Sequence, residues 1–413
     1  MAEKMIGQTF ALAFRNLARH RRRTGVCVGA IGFGVVALVL AGGFAEWMIW
    51  MERESTIHSR LGHLQIVKRG YYEHGVADPY AYLIGEQAVD TRKIKSLPHV
   101  KTVTPRLAFS GLVSRGDTTL SFLGEGVAPE TEGDLSKELI VHSGKPLASA
   151  VPNGIILGKG LAASLGAEPG AIVVLLVTTR NGGVSAVEAN VQGIFHTAVK
   201  AFDDVALRVP IALARKLMRV EGSHQLIVLL DETERTDEML QRLSRLMARN
   251  GEGLEVKSWL DLADFYKAVV DLFSSQTGFV RMIIAVIIIM SISNALMTSV
   301  RERTSEIGTM MAIGFRRREV MQLFVSEGVV LGLVGGALGA LLGYLLAYAI
   351  SAVGIPMPAA PGMDEGFNAE IRVTGELAFN GFLLAVASSI LASLYPAWKA
   401  SRLQIVDALR RAV

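Results

Sequence analysis

Two groups of residues in this 413-residue sequence have types and spacings that could do chemistry, and each is incomplete. Gly158-Lys159-Gly160-Leu161-Ala162-Ala163 matches G-x-G-x-x-A behind the apolar run Ile155–Leu157, the setting of a dinucleotide-binding turn. The helix it opens should stop at Gly166, too soon for a dinucleotide crossover, and no acid stands about 20 residues on to hold a ribose. A tight strand-to-helix turn is the better reading. His58, His63 and His74 lie in one stretch, but no acid or cysteine completes a ligand spacing, so no metal site is expected. Other catalytic chemistry is missing by residue type. No G-x-x-x-x-G-K-[ST], no H-E-x-x-H and no Ser/His/Asp or paired-carboxylate arrangement stands out, so no catalytic residue and no bound cofactor is expected. One cysteine, Cys27, excludes a disulfide framework.

Recognition chemistry is better represented. Arg301-Glu302-Arg303-Thr304-Ser305-Glu306-Ile307-Gly308-Thr309-Met310-Met311-Ala312-Ile313-Gly314-Phe315 reads as a short helix. Ile307, Met310 and Met311 recur at i, i+3 and i+4, and a Met-rich stripe on an exposed helix wants a hydrophobic groove on a partner. Near the N-terminus, Phe10, Ala13, Phe14 and Leu17 fall on one helical face with arginines opposite, predicting a helix that lies in the membrane interface. Near the C-terminus, a helix should end at Pro396, followed by a basic amphipathic helix over Trp398–Arg410.

The elements that position these segments follow from where charge is missing. Hydrophobic residues make up 51% of the chain and charged residues 19%, below the roughly one quarter usual in soluble domains. Uncharged runs cover Val26–Ala45, Met282–Val300, Gly328–Met363 and Leu377–Trp398. About 20 apolar residues cross a hydrocarbon core, and Gly354 with Pro356, Pro358 and Pro361 should end the third helix near Val353, so four spans are expected. The first run exceeds a signal-peptide core and follows a long basic segment, so it is read as an anchor.

Lys and Arg crowd residues 1–25, 301–319 and 399–413, whereas 354–375 carries only Arg372. The positive-inside rule then puts both termini and the 301–319 loop in the cytoplasm and 46–281 outside. The net charge of +4 points to no nucleic acid, because the basic clusters sit at membrane edges.

The fold class expected is therefore four transmembrane α-helices with a large mixed α/β extracytoplasmic domain between helices 1 and 2. The segments are an elbow helix over 1–25, a first span over 26–50, the α/β domain over 51–275 and a second span over 276–300. A loop over 301–319, a third span over 321–353, an outer loop over 354–375, a fourth span over 376–398 and a tail over 399–413 complete the chain. Within the α/β domain, β-branched runs predict strands at 63–67, 102–113, 119–124, 171–178, 184–191, 205–209 and 225–229. Helical spacing predicts helices at 89–97, 161–165, 211–220 and 236–250. Asp261–Phe273 should run as a helix toward span two, as a strut or as a force-transmitting stalk.

Taken in order, the basic elbow, the span, the large outer domain, RERTSEIGTMMAIGFRRREVMQLFVSEG and YPAWKASRLQIVDALR resemble the FtsX-like (MacB-type) ABC transporter permeases. The motifs bracket nearly the whole chain. The outer domain is most similar to the lipoprotein-releasing subgroup, through NVQGIFHTAVKAFDDVALRVPIALARKLM and GHLQIV.

The resemblance implies a dimer of permeases, identical or not, driven by two cytoplasmic ATPase subunits that carry the ATP and magnesium. It makes 302–314 the coupling helix, with Glu302, Arg303, Ser305, Glu306, Ile307, Gly308, Met310, Met311 and Gly314 as ATPase-coupling residues. The leading expectation is mechanical extraction of lipidated protein from the bacterial inner membrane, with a possible periplasmic carrier or adaptor. Activation of an outer-side enzyme such as a cell-wall hydrolase, and small-molecule efflux through an adaptor, are the competing readings. For a lipid cargo, Phe44, Trp47, Met48 and Met51 at the end of span one and Phe279, Met282 and Ile283 at the start of span two would line a cleft open to membrane lipids.

Overall fold

The computed structural model describes residues 15, 16, 19, 21–75, 77–137, 139–151, 153–197, 199–250, 253–358 and 366–404. Most of the expected elbow helix, and the tail helix beyond Gln404, lie outside the described residues. The chain divides into two compact units. One holds residues 1–50, 269–356 and 368–413; the other holds 51–268 and 357–367.

The four expected membrane-crossing helices are span one at Arg21–Thr56, span two at Asp264–Glu302, span three at Arg317–Val353 and span four at Gly375–Ser401, and all but the last six residues of span one and the first five of span two belong to the first unit. Each carries a window apolar and long enough to cross a bilayer, which makes the chain a multi-pass membrane protein. Spans one and two continue as helix beyond the membrane-length segment, at the C-terminal end of span one and the N-terminal end of span two. Their core is built from Ile31, Val35 and Leu38 of span one against Ile284, Ile288 and Ile292 of span two, closed by Leu331 and Ala385.

Small residues set how close span three comes to its neighbours. A Cβ at Gly335 would lie 2.8 Å from Cβ of Ile31, and one at Gly339 would lie 2.7 Å from Cβ of Val35. The other glycine row faces span four, where a Cβ at Gly328 would meet Ser393 at 2.6 Å. The two rows therefore serve two different neighbours, as close backbone packing in lipid requires.

Span four does not end at Pro396. Its helix runs through that proline to Ser401, because Ala397 and Ala400 are fully buried against the bundle and packing outweighs one lost ladder bond. Of the polar groups in span two, Ser291 and Ser293 are half-buried, but Asn294 is exposed on the chain rather than turned to a neighbouring helix.

The second unit is a mixed α/β domain on a ten-stranded sheet. Its strands are β1 (Leu64–Lys68), β2 (Val100–Arg115), β3 (Thr118–Val127), β4 (Ile140–Gly144), β5 (Gly154–Gly158), β6 (Ile172–Thr178), β7 (Val184–His196), β8 (Ala206–Pro210), β9 (Gln225–Leu230) and β10 (Leu254–Ser258). They run in the order β10-β1-β9-β2-β3-β8-β5-β7-β4, with β6 pairing β2 and β7. β2 holds the sheet together, pairing β9, β3 and β6, with a register shift between Val100 and Thr102.

Helices Lys159–Leu165 and Ile211–Met218 cover one core, centred on Leu107, Phe122, Leu157, Val191 and Leu217. Helix Thr236–Asn250 covers a second, around Leu64, Ile66, Val228 and Leu243. The helix expected at 89–97 is shorter, Thr91–Lys95, because the Asp90 side chain caps it by accepting from the N–H groups of Arg92 and Lys93. β4, β5 and β10 were not expected as strands. The helix leading into span two starts at Asp264, after the Ser258-capped turn Trp259–Leu262 and a break at Ala263, and continues unbroken to Glu302.

Candidate functional site

The arginine-rich end of the bundle carries a network of ion pairs and hydrogen bonds among the described residues. Span two ends at Glu302, and the nine-residue helix Thr304–Ala312 follows after the single residue Arg303. Arg303 is buried in that break. Its Nη1 donates to Oε1 of Glu327 in span three at 2.9 Å, and its Nε donates to Oε2 of Glu306 at 2.9 Å. Glu327 is 1% exposed and also accepts from Nδ2 of Asn16 at 3.1 Å. Arg23 of span one donates to Glu302 at 3.0 Å and to Oγ of Ser299 at 2.8 Å. The N-terminal segment, span two and span three are thus tied together where the short helix leaves the bundle. A buried pair of this kind costs about 3–5 kcal/mol to break by removing one partner.

The apolar stripe of the short helix faces inward, which corrects the expectation that it is offered to a partner. Ile307 is fully buried, and Met310 and Met311 are half-buried, against Val300, Val320, Phe324, Ala397 and Ala400. A nine-residue helix is too short to stand alone, so its apolar face is buried on its own chain. Gly308 is buried with the stripe and Ser305 is half-buried.

The exposed surface lies on the other side and beyond. It comprises Glu302, Glu306, Thr309, Ala312, Ile313, Phe315 and Arg316 to Arg318. Ile313 is 77% exposed, an unusual state for isoleucine at a polar helix end. Gly314 adopts φ +109°, and the N–H groups of Gly314 and Phe315 donate to the carbonyls of Met311 and Met310. That left-handed cap turns the chain and projects Phe315 outward. Sequence reasoning placed the segment, but the stripe it offered to a partner is the face turned to the bundle; Ile313 and Phe315, beside three consecutive arginines, are the exposed apolar residues.

At the other end, the seven proposed cleft residues do not come together within one chain. Trp47 is buried and lines a crevice with Trp50, span three and the segment before span four. Phe44, Met48 and Met51 are half-buried. Phe279, Met282 and Ile283 are more than half exposed. Span two turns Ile284, Ile288 and Ile292 to span one, and at 100° per residue Phe279 and Met282 lie on nearly the opposite face.

In the α/β domain the G-x-G-x-x-A segment is a packing turn. A Cβ at Gly158 would lie 2.3 Å from the carbonyl oxygen of Asp203, and helix Lys159–Leu165 ends at Gly166. His63 has both ring nitrogens engaged: Nδ1 accepts from the Leu230 N–H at 3.1 Å, and Nε2 donates to Oγ1 of Thr233 at 3.0 Å. Burial, with His58 and Arg53 close by, pulls its pKa down to about 4, so it is a neutral structural group.

Sequence reasoning missed a buried charge cluster altogether. Arg106 donates to both carboxylate oxygens of Glu132 at 3.1 and 3.0 Å, and to the carbonyl of Arg60 at 2.7 Å. Arg208 donates to Glu125 at 2.9 Å, to Ser136 at 2.7 Å and to the carbonyl of Ser59 at 3.3 Å. Burial alone would raise the Glu125 pKa, but Arg106, Arg208 and Arg60 outweigh it and hold the carboxyl at about 2. The cluster clamps the π-helical turn Ile57–Leu61 to β2, β3 and β8. Its two ion pairs join residues 26 and 83 positions apart, and no local spacing announces them.

Comparison with known proteins adds to this geometry. A family model described as MacB-like periplasmic core domain matches residues 24–246, and one described as FtsX-like permease C-terminal matches residues 278–405. The macrolide export ATP-binding/permease protein MacB 1 of Yersinia pestis bv. Antiqua (strain Antiqua) is 24% identical over 98% of this chain and 60% of its own length. MacB of Syntrophobacter fumaroxidans is 32% identical over 42% of this chain and 22% of its own length. The chain therefore spans less than two thirds of the MacB relatives it matches. The lipoprotein-releasing system transmembrane protein LolC of Xylella fastidiosa is 24% identical over 76% of this chain and 78% of its own length. Among solved structures, the periplasmic region of MacB from Actinobacillus actinomycetemcomitans is 14% identical, with a TM-score of 0.36, over 50% of this chain and 94% of that one.

Proposed function

The chain belongs to the FtsX-like permeases that carry a MacB-like periplasmic core domain, and from that premise we propose that it is the permease subunit of an ABC transporter whose ATP is hydrolysed by two separate cytoplasmic subunits. It would sit in the bacterial inner membrane with both termini and the 301–319 loop cytoplasmic, as the Lys and Arg distribution supports. A second permease subunit would cover the exposed stripe Ile283, Ile287, Met290 and Asn294 of span two, because an amide facing lipid is costly. The cargo cleft would then form between two copies, with Phe279 and Met282 at its edge.

The observation that carries the reading is the surface at Ile313 and Phe315, mounted on a helix that Arg303 and Glu327 lock to the bundle. Closure of the ATPases would push on that surface. The push would reach span three through the Arg303–Glu327 pair and span two through the single-residue break. Its proposed product is release of a lipidated or otherwise hydrophobic cargo. The likeness to MacB over 98% of the chain supports a second reading, efflux of a small hydrophobic molecule.

Co-purification tests the coupling surface. Affinity-tagged chain is purified from cells that co-express a candidate cytoplasmic ABC ATPase, as wild type and as Phe315→Asp. Losing the apolar contact and adding a charge should weaken association at least about tenfold while membrane insertion is kept. Equal recovery of ATPase with both proteins would reject this surface.

A further inference from the structure

The end of the bundle away from the arginine cluster holds a crevice of about 400 Å³. Trp47, Trp50, Tyr344 and Tyr348 form its aromatic walls, and Glu370 and Arg372 stand at its edge. The edge is firmly built. The Ile371 N–H donates to Oγ of Ser351 in span three at 2.9 Å, and the Arg372 N–H donates to the Gly43 carbonyl in span one at 3.0 Å. A Cβ at Gly43 would lie 2.6 Å from Cγ2 of Ile371, so the close approach of this segment to span one requires glycine there.

Two exposed opposite charges are therefore held beside one crevice, two residues apart. Among the described residues neither makes an ion pair, with the other or with a third group. The Arg372 guanidinium lies 4.9 Å from the centroid of the Trp50 ring. Span three ends at Val353 and span four is capped by Thr374, which puts the crevice at the boundary between hydrocarbon and headgroups.

A phosphate there would meet Arg372 in a charge-assisted contact. An ammonium group would meet Glu370 and the faces of the tyrosine and tryptophan rings. A purely anionic headgroup is repelled by Glu370, and a purely cationic one by Arg372. We propose that the crevice holds the headgroup of a zwitterionic diacyl phospholipid of the surrounding bilayer, its phosphate on Arg372 and its ammonium on Glu370. The inference rests on the four-span fold and not on the ATPase partnership.

The test uses full-length protein in nanodiscs of equimolar phosphatidylethanolamine and phosphatidylglycerol. Lipid retained after extraction into mild detergent is counted by native mass spectrometry. Wild type should retain one phosphatidylethanolamine per chain, preferred about tenfold over phosphatidylglycerol. Glu370→Gln should bring the two lipids to near parity, and Arg372→Gln should lose the retained lipid. Should Arg372→Gln fail to insert, the selectivity of Glu370→Gln decides alone. Identical retention and composition in wild type and Glu370→Gln, or a wild-type preference for phosphatidylglycerol, would overturn the proposal.

Discussion

Arg303 and His63 are both polar and both buried, and they are held in opposite ways. Arg303 keeps its charge because two carboxylates meet it; His63 gives its charge up because burial disfavours the imidazolium, while Leu230 and Thr233 satisfy the neutral ring. The second arrangement makes stability depend on pH. With a folded pKa of about 4 against an ordinary value near 6.5, the unfolded chain binds a proton between those values that the folded chain refuses. The contribution is complete above pH 6.5 and is lost as pH falls toward 4, up to about 3 kcal/mol. Glu125 acts lower, contributing above pH 4.5 and losing that contribution toward pH 2. Thermal unfolding of the full-length protein, followed by tryptophan fluorescence, should show a midpoint falling by about 5–10 °C between pH 7 and 4.5. His63→Gln should flatten that slope. Parallel pH profiles for the two proteins would show that His63 is not the group responsible.

Span three makes the corresponding point for elements. Gly339 faces Val35 at a distance no side chain tolerates, whereas a Cβ at Gly29 in span one meets nothing within 4 Å. Gly339→Val should therefore cost about 1–3 kcal/mol through overpacking, and Gly29→Ala should be neutral or slightly stabilising. Unfolding midpoints in detergent measure both, and equal effects would contradict the packing described. Both glycine rows could be read from the sequence, because small residues at i, i+4 and i+8 in a membrane helix have one common use.

The four spans and seven strands of the α/β domain were equally legible, since long uncharged runs and β-branched alternation are local signals. β5 was not, because glycines bound an apolar run of only three residues, Ile155–Leu157, shorter than a strand signal usually is. The direction of the Ile307 stripe was also out of reach. A short amphipathic helix looks the same whether its groove belongs to a partner or to its own bundle, and only the position of Val320, Phe324 and Ala397 decides. The Arg106–Glu132 and Arg208–Glu125 pairs were hidden for a related reason: the topology of the sheet, not sequence spacing, brings them together.

For the whole molecule, membership of the permease family was read from the same segments that the family models match, the 301–328 segment and the end of the fourth span above all. Cargo was not legible, because no local motif in the sequence marks a cargo class. The proposed function at this scale is mechanical: ATP hydrolysed elsewhere would move cargo through a path that includes the Arg303–Glu327 pair. The direct measurement is made in proteoliposomes holding the permease, its ATPase and a fluorescently labelled lipidated protein, with ATP hydrolysis and cargo release followed in the same vesicles. Wild type should release cargo in proportion to ATP consumed. Glu327→Gln, which weakens the pair without adding bulk, should keep hydrolysing ATP while release per ATP falls by about tenfold or more. Unchanged release per ATP in Glu327→Gln, or hydrolysis by wild type with no cargo or small hydrophobic solute moved at all, would contradict the account.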